Sequence, residues 1–169
     1  MASAPSGSRP LLVLATGNAG KLRELRPLLA GIPFEIRTLG DDSGIEVAAL
    51  GGAPGVHSAR FGGPSLDDRG RVRHLLRQIE HVPEAERGAR FVCVIALVRP
   101  DGTETLVEGA CDGVLTREPR GTEGFGYDPI FFYPPFALTF GEVPDDRKAT
   151  VSHRGRAVAA ARAALIVSA

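Results

Sequence analysis

The spacing of apolar residues changes several times along the 169-residue chain. Leu11 to Ala15 is a continuous apolar run, the pattern of a strand covered on both faces. After Thr16-Gly17-Asn18-Ala19-Gly20-Lys21, Leu22, Leu25, Leu28 and Leu29 recur at helical intervals until Gly31. Asn18 is placed to cap this helix, and Pro27 inside it removes one backbone bond and can kink the axis. Phe34 to Leu39 alternates and predicts a strand. Ser65 to Glu80 predicts a helix: Ser65 with Asp68 resembles a capping box, Val72, Leu75, Leu76 and Ile79 form the apolar face, and Pro83 closes it. Phe91 to Val98 is apolar throughout and is the expected central buried strand. Pro100-Asp101-Gly102 signals a turn, Thr103 to Glu108 alternates as the hairpin return, and Gly109 to Thr116 continues it. A last helix, capped by Ser152, runs through Val158 and Leu165. No segment repeats.

Composition narrows the function. Hydrophobic residues make up 43%, enough for a core, and the length suits one domain. Twenty basic and twenty acidic residues cancel, which argues against a broad nucleic-acid or membrane surface, so any anion must be held locally. Cys93 and Cys111 lie in apolar surroundings without metal-ligand spacing, as expected of a reduced, cytoplasmic protein. Residues 1–10 are small, polar and proline-containing, and read as a flexible tail ahead of a single domain at 11–169. No run is long enough to span a membrane.

Three stretches carry chemistry. The first is the glycine loop that opens the first helix. Its free N–H groups and the helix dipole suit an anion, with Lys21 adding charge and Thr16 a hydroxyl. The Walker spacing is absent, and a tight strand-to-helix turn explains the loop equally well. The second is Asp41-Asp42-Ser43-Gly44, followed by Ile45 to Leu50, apolar except for Glu46, and then Gly51-Gly52-Ala53-Pro54-Gly55. Adjacent carboxylates are either a solvated turn or a metal site, because burying both without compensation is costly. Asp42 is the leading catalytic candidate. The third is Gly121 to Pro129, where Phe125 and Tyr127 alternate with glycines beside Asp128. Glycine-spaced aromatics can offer a flat face to a base, and Asp128 a directional acceptor; packing on Phe131 and Phe132 is the structural alternative. His153 and Arg154 fall in the first turn of the last helix, where positive charge opposes the dipole, so a ligand or carboxylate partner is expected. His74 and His81 are given no role.

These stretches, with Ser58-Ala59-Arg60 and Lys148, occur in an order that resembles the inosine triphosphate pyrophosphatase family over nearly the whole chain. The resemblance implies an α/β fold with a long mixed central sheet flanked by helices. It also implies two lobes with a cleft between them, usually in a homodimer. The implied activity is hydrolysis of ITP, dITP or XTP to the monophosphate and pyrophosphate, with Mg²⁺. It carries over Asp42 as metal ligand and proton acceptor, and Thr16, Gly17, Asn18, Ala19, Gly20, Lys21 and Ser43 as phosphate-binding residues. Phe125 would stack on the base within Phe125-Gly126-Tyr127-Asp128, and Asp128, Lys148, His153 and Arg154 would line the base pocket.

One departure stands out. Family members carry a segment with a metal-binding Glu before the double-Asp motif, whereas Thr38-Leu39-Gly40 here runs straight into Asp41. Gly40 and Asp41 are therefore expected not to be neighbours in the folded molecule. A true deletion would instead suggest a purine-nucleotide-binding protein without turnover.

Overall fold

The computed structural model describes residues 11–14, 19–30, 35–38, 43–98 and 102–166. Strand β1 (Leu11–Leu14), helix α1 (Ala19–Leu28) and strand β2 (Glu35–Thr38) form a unit in which β2 returns parallel to β1. A parallel return needs a crossover, and α1 supplies it. Pro27 stands in the last turn of α1, where it withholds one helical N–H, and the helix stops at Leu28. β3 (Gly44–Val47) and the short β4 (Pro54–Gly55) form an antiparallel pair. Helix α2 (Asp68–Gln78) follows. Its cap is Asp67, whose carboxylate accepts the Gly70 N–H at 2.7 Å, and not the expected Ser65. Asp67 immediately precedes the helix and so reaches its third amide, which Ser65 does not.

β5 (Gly88–Val98) and β6 (Glu104–Leu115) are a long hairpin, with β5 starting ahead of the expected Phe91 and β6 joining the two expected extended pieces into one strand. β7 (Phe131–Tyr133) and β8 (Leu138–Thr139) extend the β6 edge, and helices α3 (Asp145–Ala149) and α4 (His153–Ile166) end the described chain. The result is an α/β fold with a mixed sheet, as expected: β2-β1-β5-β6-β7-β8, with β3 also on β5. β5 is not fully buried, however. Phe91, Cys93, Ile95 and Leu97 are buried, while Val92, Val94 and Ala96 on the opposite face are only half-buried. Alternation with this result shows that one face of this strand packs inward more fully than the other.

One edge of β5 serves two strands. β1 pairs near its C-terminal end, with Val13 opposite Ala96, and β3 near its N-terminal end, with Gly44 opposite Val92. The end of β1 and the start of β3 therefore converge on Cys93–Ile95. The core divides in the same way. Ile45, Leu75, Phe91, Phe131 and Phe140 belong to one apolar cluster, and Leu25, Leu29, Ile95, Leu97, Val158 and Ala161 to another. Gly109 on β6 lets α4 approach: a Cβ there would stand 2.1 Å from the His153 carbonyl oxygen and 2.2 Å from the Ala157 nitrogen.

Arg87 ties the β5–β6 end to α2. It is 2% exposed, and its guanidinium donates to the carbonyls of Ile79 at 2.7 Å, Leu115 at 2.9 Å and Thr116 at 3.0 Å. The Ile79 carbonyl lies at the end of α2, where positive charge complements the dipole. Replacement by Leu would strand the Leu115 and Thr116 carbonyls and leave Ile79 with only the Val82 N–H at 3.0 Å. We expect Arg87→Leu to cost on the order of 3 kcal/mol of stability in urea unfolding. A loss below about 0.5 kcal/mol would show that the carbonyls find other partners.

Candidate active site

The site forms where α1, α2, α4 and the loop before β7 meet at the β3 end. Gly44 opens β3, and its neighbour Ser43 is buried. Ser58 fixes this region from the next turn: its Oγ accepts the Ile45 N–H at 2.9 Å and donates to the Gly55 carbonyl at 2.5 Å. The Ser58 carbonyl in turn accepts the Tyr127 hydroxyl at 2.9 Å. Tyr127 is thus a buried strut joining two loops, and burial pushes its phenol well above its ordinary value. Its hydroxyl is committed to the protein, unlike a ring presented to solvent for stacking.

The loop bearing Phe125 is held at both ends. The Phe125 N–H donates to Asp128 Oδ2 at 2.8 Å, and the Gly126 N–H to Asp68 Oδ2 at 3.1 Å. Gly124, at φ +69°, has no room for a side chain, because a Cβ would lie 2.2 Å from Asp128 Oδ2.

Behind the loop are four buried charges. Lys148 Nζ donates to Asp128 Oδ2 at 2.6 Å and to Glu24 Oε1 at 2.8 Å, and Arg154 Nη1 donates to Glu24 Oε2 at 2.5 Å. Lys148 and Arg154 are 1% and 4% exposed. Two cations and two anions balance, which makes their desolvation tolerable. Glu24 is the carboxylate partner expected for the basic turn at His153–Arg154. Burial raises its carboxyl, but Arg154 and Lys148 outweigh burial and hold it below the ordinary value. Asp128 is more deeply enclosed, and there burial prevails and raises the carboxyl despite Lys148 and the Phe125 N–H.

Aromatic rings complete the site. The Arg154 guanidinium carbon lies 4.9 Å from the Phe125 ring centroid and Lys148 Nζ 5.6 Å from it, both within cation–π range. The His153 ring stacks on Phe91 at 4.8 Å. Ser43, Phe125, Gly126, Tyr127, Asp128, His153 and Arg154 all line one cavity, and Lys148 touches it through Asp128. Ala19, Gly20 and Lys21 form the first turn of α1. Thr16, Gly17, Asn18 and Asp42 lie outside the described residues, as does the Gly40–Asp41 junction. Sequence reasoning gave no site role to Glu24, Ser58, Asp68 and Arg71. Glu24 follows Lys21 by one helical turn, and that spacing was the available signal.

The depressed Glu24 carboxyl sets a pH dependence. Its folded value lies below its unfolded one, so its stabilisation is fully present above about pH 4.3 and is lost as pH falls through the folded value. Glu24→Gln should cost about 2 kcal/mol at pH 7. The gap from the unsubstituted protein should narrow in acid unfolding titrations, and a gap constant down to pH 3 would contradict the ionised cluster.

The chain is similar to known proteins along its length. It is 40% identical to a dITP/XTP pyrophosphatase of Desulforamulus reducens over 183 positions, covering 87% of this chain and 91% of the relative. It is 41% identical to one of Thermus thermophilus over 184 positions, covering 88% of each. A 183-position alignment that takes up 87% of 169 residues leaves about three dozen positions with no residue here. A Ham1 protein structure from Coxiella burnetii superposes with a TM-score of 0.79 at 31% identity, covering 91% of this chain and 97% of that one. The Ham1 family model matches residues 34–164, which include Ser43, the Phe125 loop, Lys148 and the His153–Arg154 turn, and the chain belongs to that family.

Proposed function

We propose that the chain hydrolyses ITP, dITP or XTP to the nucleoside monophosphate and pyrophosphate. The names of the relatives supply the reaction class. The observation that carries the choice of base is the pairing of Asp128 and Arg154 beside the Phe125 ring. Hypoxanthine and xanthine present an N1–H donor and an O6 acceptor, and adenine reverses both. Both protein bonds to Asp128 fall on Oδ2, so Oδ1 can accept N1–H. Arg154 commits Nη1 to Glu24, while its Nε is buried without a hydrogen-bond partner among the described residues and can serve O6. Adenine would leave both groups unpaired, which is costly in a buried site. Arg154 already covers part of the Phe125 ring, which favours a purine on the other part.

For hydrolysis, a water oxygen bonds to the α-phosphorus, the bond to the β-phosphate bridging oxygen breaks, and pyrophosphate leaves. Asp42 accepts the water proton. Ser43 and the loop at residues 16–21 hold the phosphates from the two chain ends that converge on β5. The two halves of the molecule on either side of Cys93–Ile95 are the two lobes of one domain at 11–169.

A divalent metal belongs to this reaction class, and Mg²⁺ is the ion proposed. Among the described residues no cluster of His, Cys, Asp and Glu could hold it. Asp68 and Asp128 at the cavity are already engaged by Gly126, Phe125 and Lys148. The described residues therefore do not form a metal shell, and Asp42 is the ligand on which Mg²⁺ rests. When bound, the ion would offset the charge of the triphosphate. No described helix is long and apolar enough to cross a membrane. A homodimer that acts on free nucleotides in the cytoplasm, without nucleic-acid or membrane partners, completes the proposal.

Incubation with ITP and Mg²⁺ should release pyrophosphate as the first product. Orthophosphate as the first product would refute the reaction, and ITP binding without cleavage would favour a nucleotide-binding protein that lost turnover with the shortened segment. Asp42→Asn should abolish turnover while leaving the thermal transition in place. Arg154→Ala should lower kcat/KM for ITP more than for ATP by at least about tenfold, and an equal loss for both would remove Arg154 from base selection.

A further inference from the structure

Arg71 is a cation at the cavity that none of the recognised motifs includes. It lies in the first turns of α2 and lines the same cavity as Ser43 and Ser58. Two observations separate it from a solvated surface arginine. Its side chain is 16% exposed, yet its Nε is buried without a hydrogen-bond partner among the described residues. A buried N–H without an acceptor is unfavourable, so this placement of the side chain is not one its own partners secure. Its ion pair is also loose: Nη1 stands 3.3 Å from Asp68 Oδ1, and Asp68 is 56% exposed. Such a pair holds a guanidinium weakly. Asp68 has a second task, because its other oxygen accepts the Gly126 N–H at 3.1 Å.

Charge balance gives Arg71 a purpose. The charges of Glu24, Lys148, Asp128 and Arg154 cancel among themselves. A nucleoside triphosphate brings several negative charges that this neutral base end does not offset. Among the described cavity-lining residues, Arg71 is the Lys or Arg outside that cluster. A guanidinium offers parallel N–H donors that match two oxygens of a phosphate. We infer that Arg71 is a substrate-binding residue whose Nε–H and an adjacent Nη–H donate to phosphate oxygens of the nucleotide. Asp68 then keeps Gly126, and with it the Phe125 loop, in place while Arg71 turns to the substrate. This rests on the purine-triphosphate reading above.

The test compares the unsubstituted protein with Arg71→Gln and Arg71→Lys, measuring affinity for ITP and for inosine, KM and kcat for ITP, and the thermal transition. Arg71→Gln should weaken ITP binding and raise KM roughly tenfold. Inosine affinity and the thermal transition should stay as they were. Arg71→Lys keeps the charge but removes the fork, so it should lose several-fold for ITP; it carries the test if the Gln variant does not fold. Unchanged ITP affinity in either variant, with normal turnover in the unsubstituted protein, overturns the role of Arg71 and leaves the purine-triphosphate reading intact. An equal loss for inosine and ITP also overturns it, by moving Arg71 to the base. An unsubstituted protein that neither binds nor cleaves ITP overturns the underlying reading and this inference with it.

Discussion

Four buried charges hold the candidate site together. Glu24 comes from the first helix, Asp128 from the loop before β7, Lys148 from α3 and Arg154 from the last helix. None of these elements is adjacent in sequence to all the others. Burying any one charge alone would be prohibitive, and together they are tolerable only when all four elements are docked. The cluster therefore makes the site depend on the whole fold. It explains why a basic pair can stand at a helix N-terminus against the dipole: Glu24 offsets at Arg154 what the helix end disfavours. It also explains the crowded glycine at 124, since the chain must pass Asp128 too closely for a side chain.

β5 performs the other organising role. Two strands share one of its edges, and each leads to a different part of the proposed substrate. The end of β1 leads into the glycine loop, and the start of β3 follows the double-Asp motif. A single long strand thus fixes two sequence-distant ends to within a few residues of each other along one line. The hairpin with β6 makes that line rigid over its full length. Through Gly109, β6 also sets the height at which α4 begins, and so where His153 and Arg154 stand.

Much of this was legible in the sequence, for physical reasons that differ by element. The helix at α2 and the hairpin strands follow from periodicity and turn residues. The short β3, β4, β7 and β8 do not, because two to four residues carry too little pattern and their pairing is long-range. The cap of α2 was misplaced by the resemblance of Ser65 and Asp68 to a capping box, when Asp67 stood closer to the helix. Phe125, Asp128, His153 and Arg154 announce themselves as polar or aromatic residues in glycine-rich or helix-opening contexts, whereas Lys148 enters only through the resemblance. Glu24 does not, because a glutamate on a leucine-rich helix is ordinary until the fold brings Lys148 to it. Tyr127 shows the opposite error: beside Phe125 it reads as a second stacking ring, but its hydroxyl binds Ser58 and its ring is core.

The neutrality of the cluster implies a division of labour along the cavity. On the proposed reading, a neutral, buried base end would discriminate by hydrogen-bond direction, because an unpaired buried donor or acceptor is costly. Net charge at that end would instead bind any nucleotide more tightly and blur the distinction between purines. The charge of a triphosphate is then best met away from the base, at the cavity wall formed by α2 and near the two chain ends on β5. Arg71 suits that wall because its partner is solvent-exposed and easily left, whereas Arg154 is fastened to Glu24 and cannot follow a phosphate. Two arginines in one cavity thus differ in freedom, and the proposed roles, reading the base and holding the charge, follow that difference.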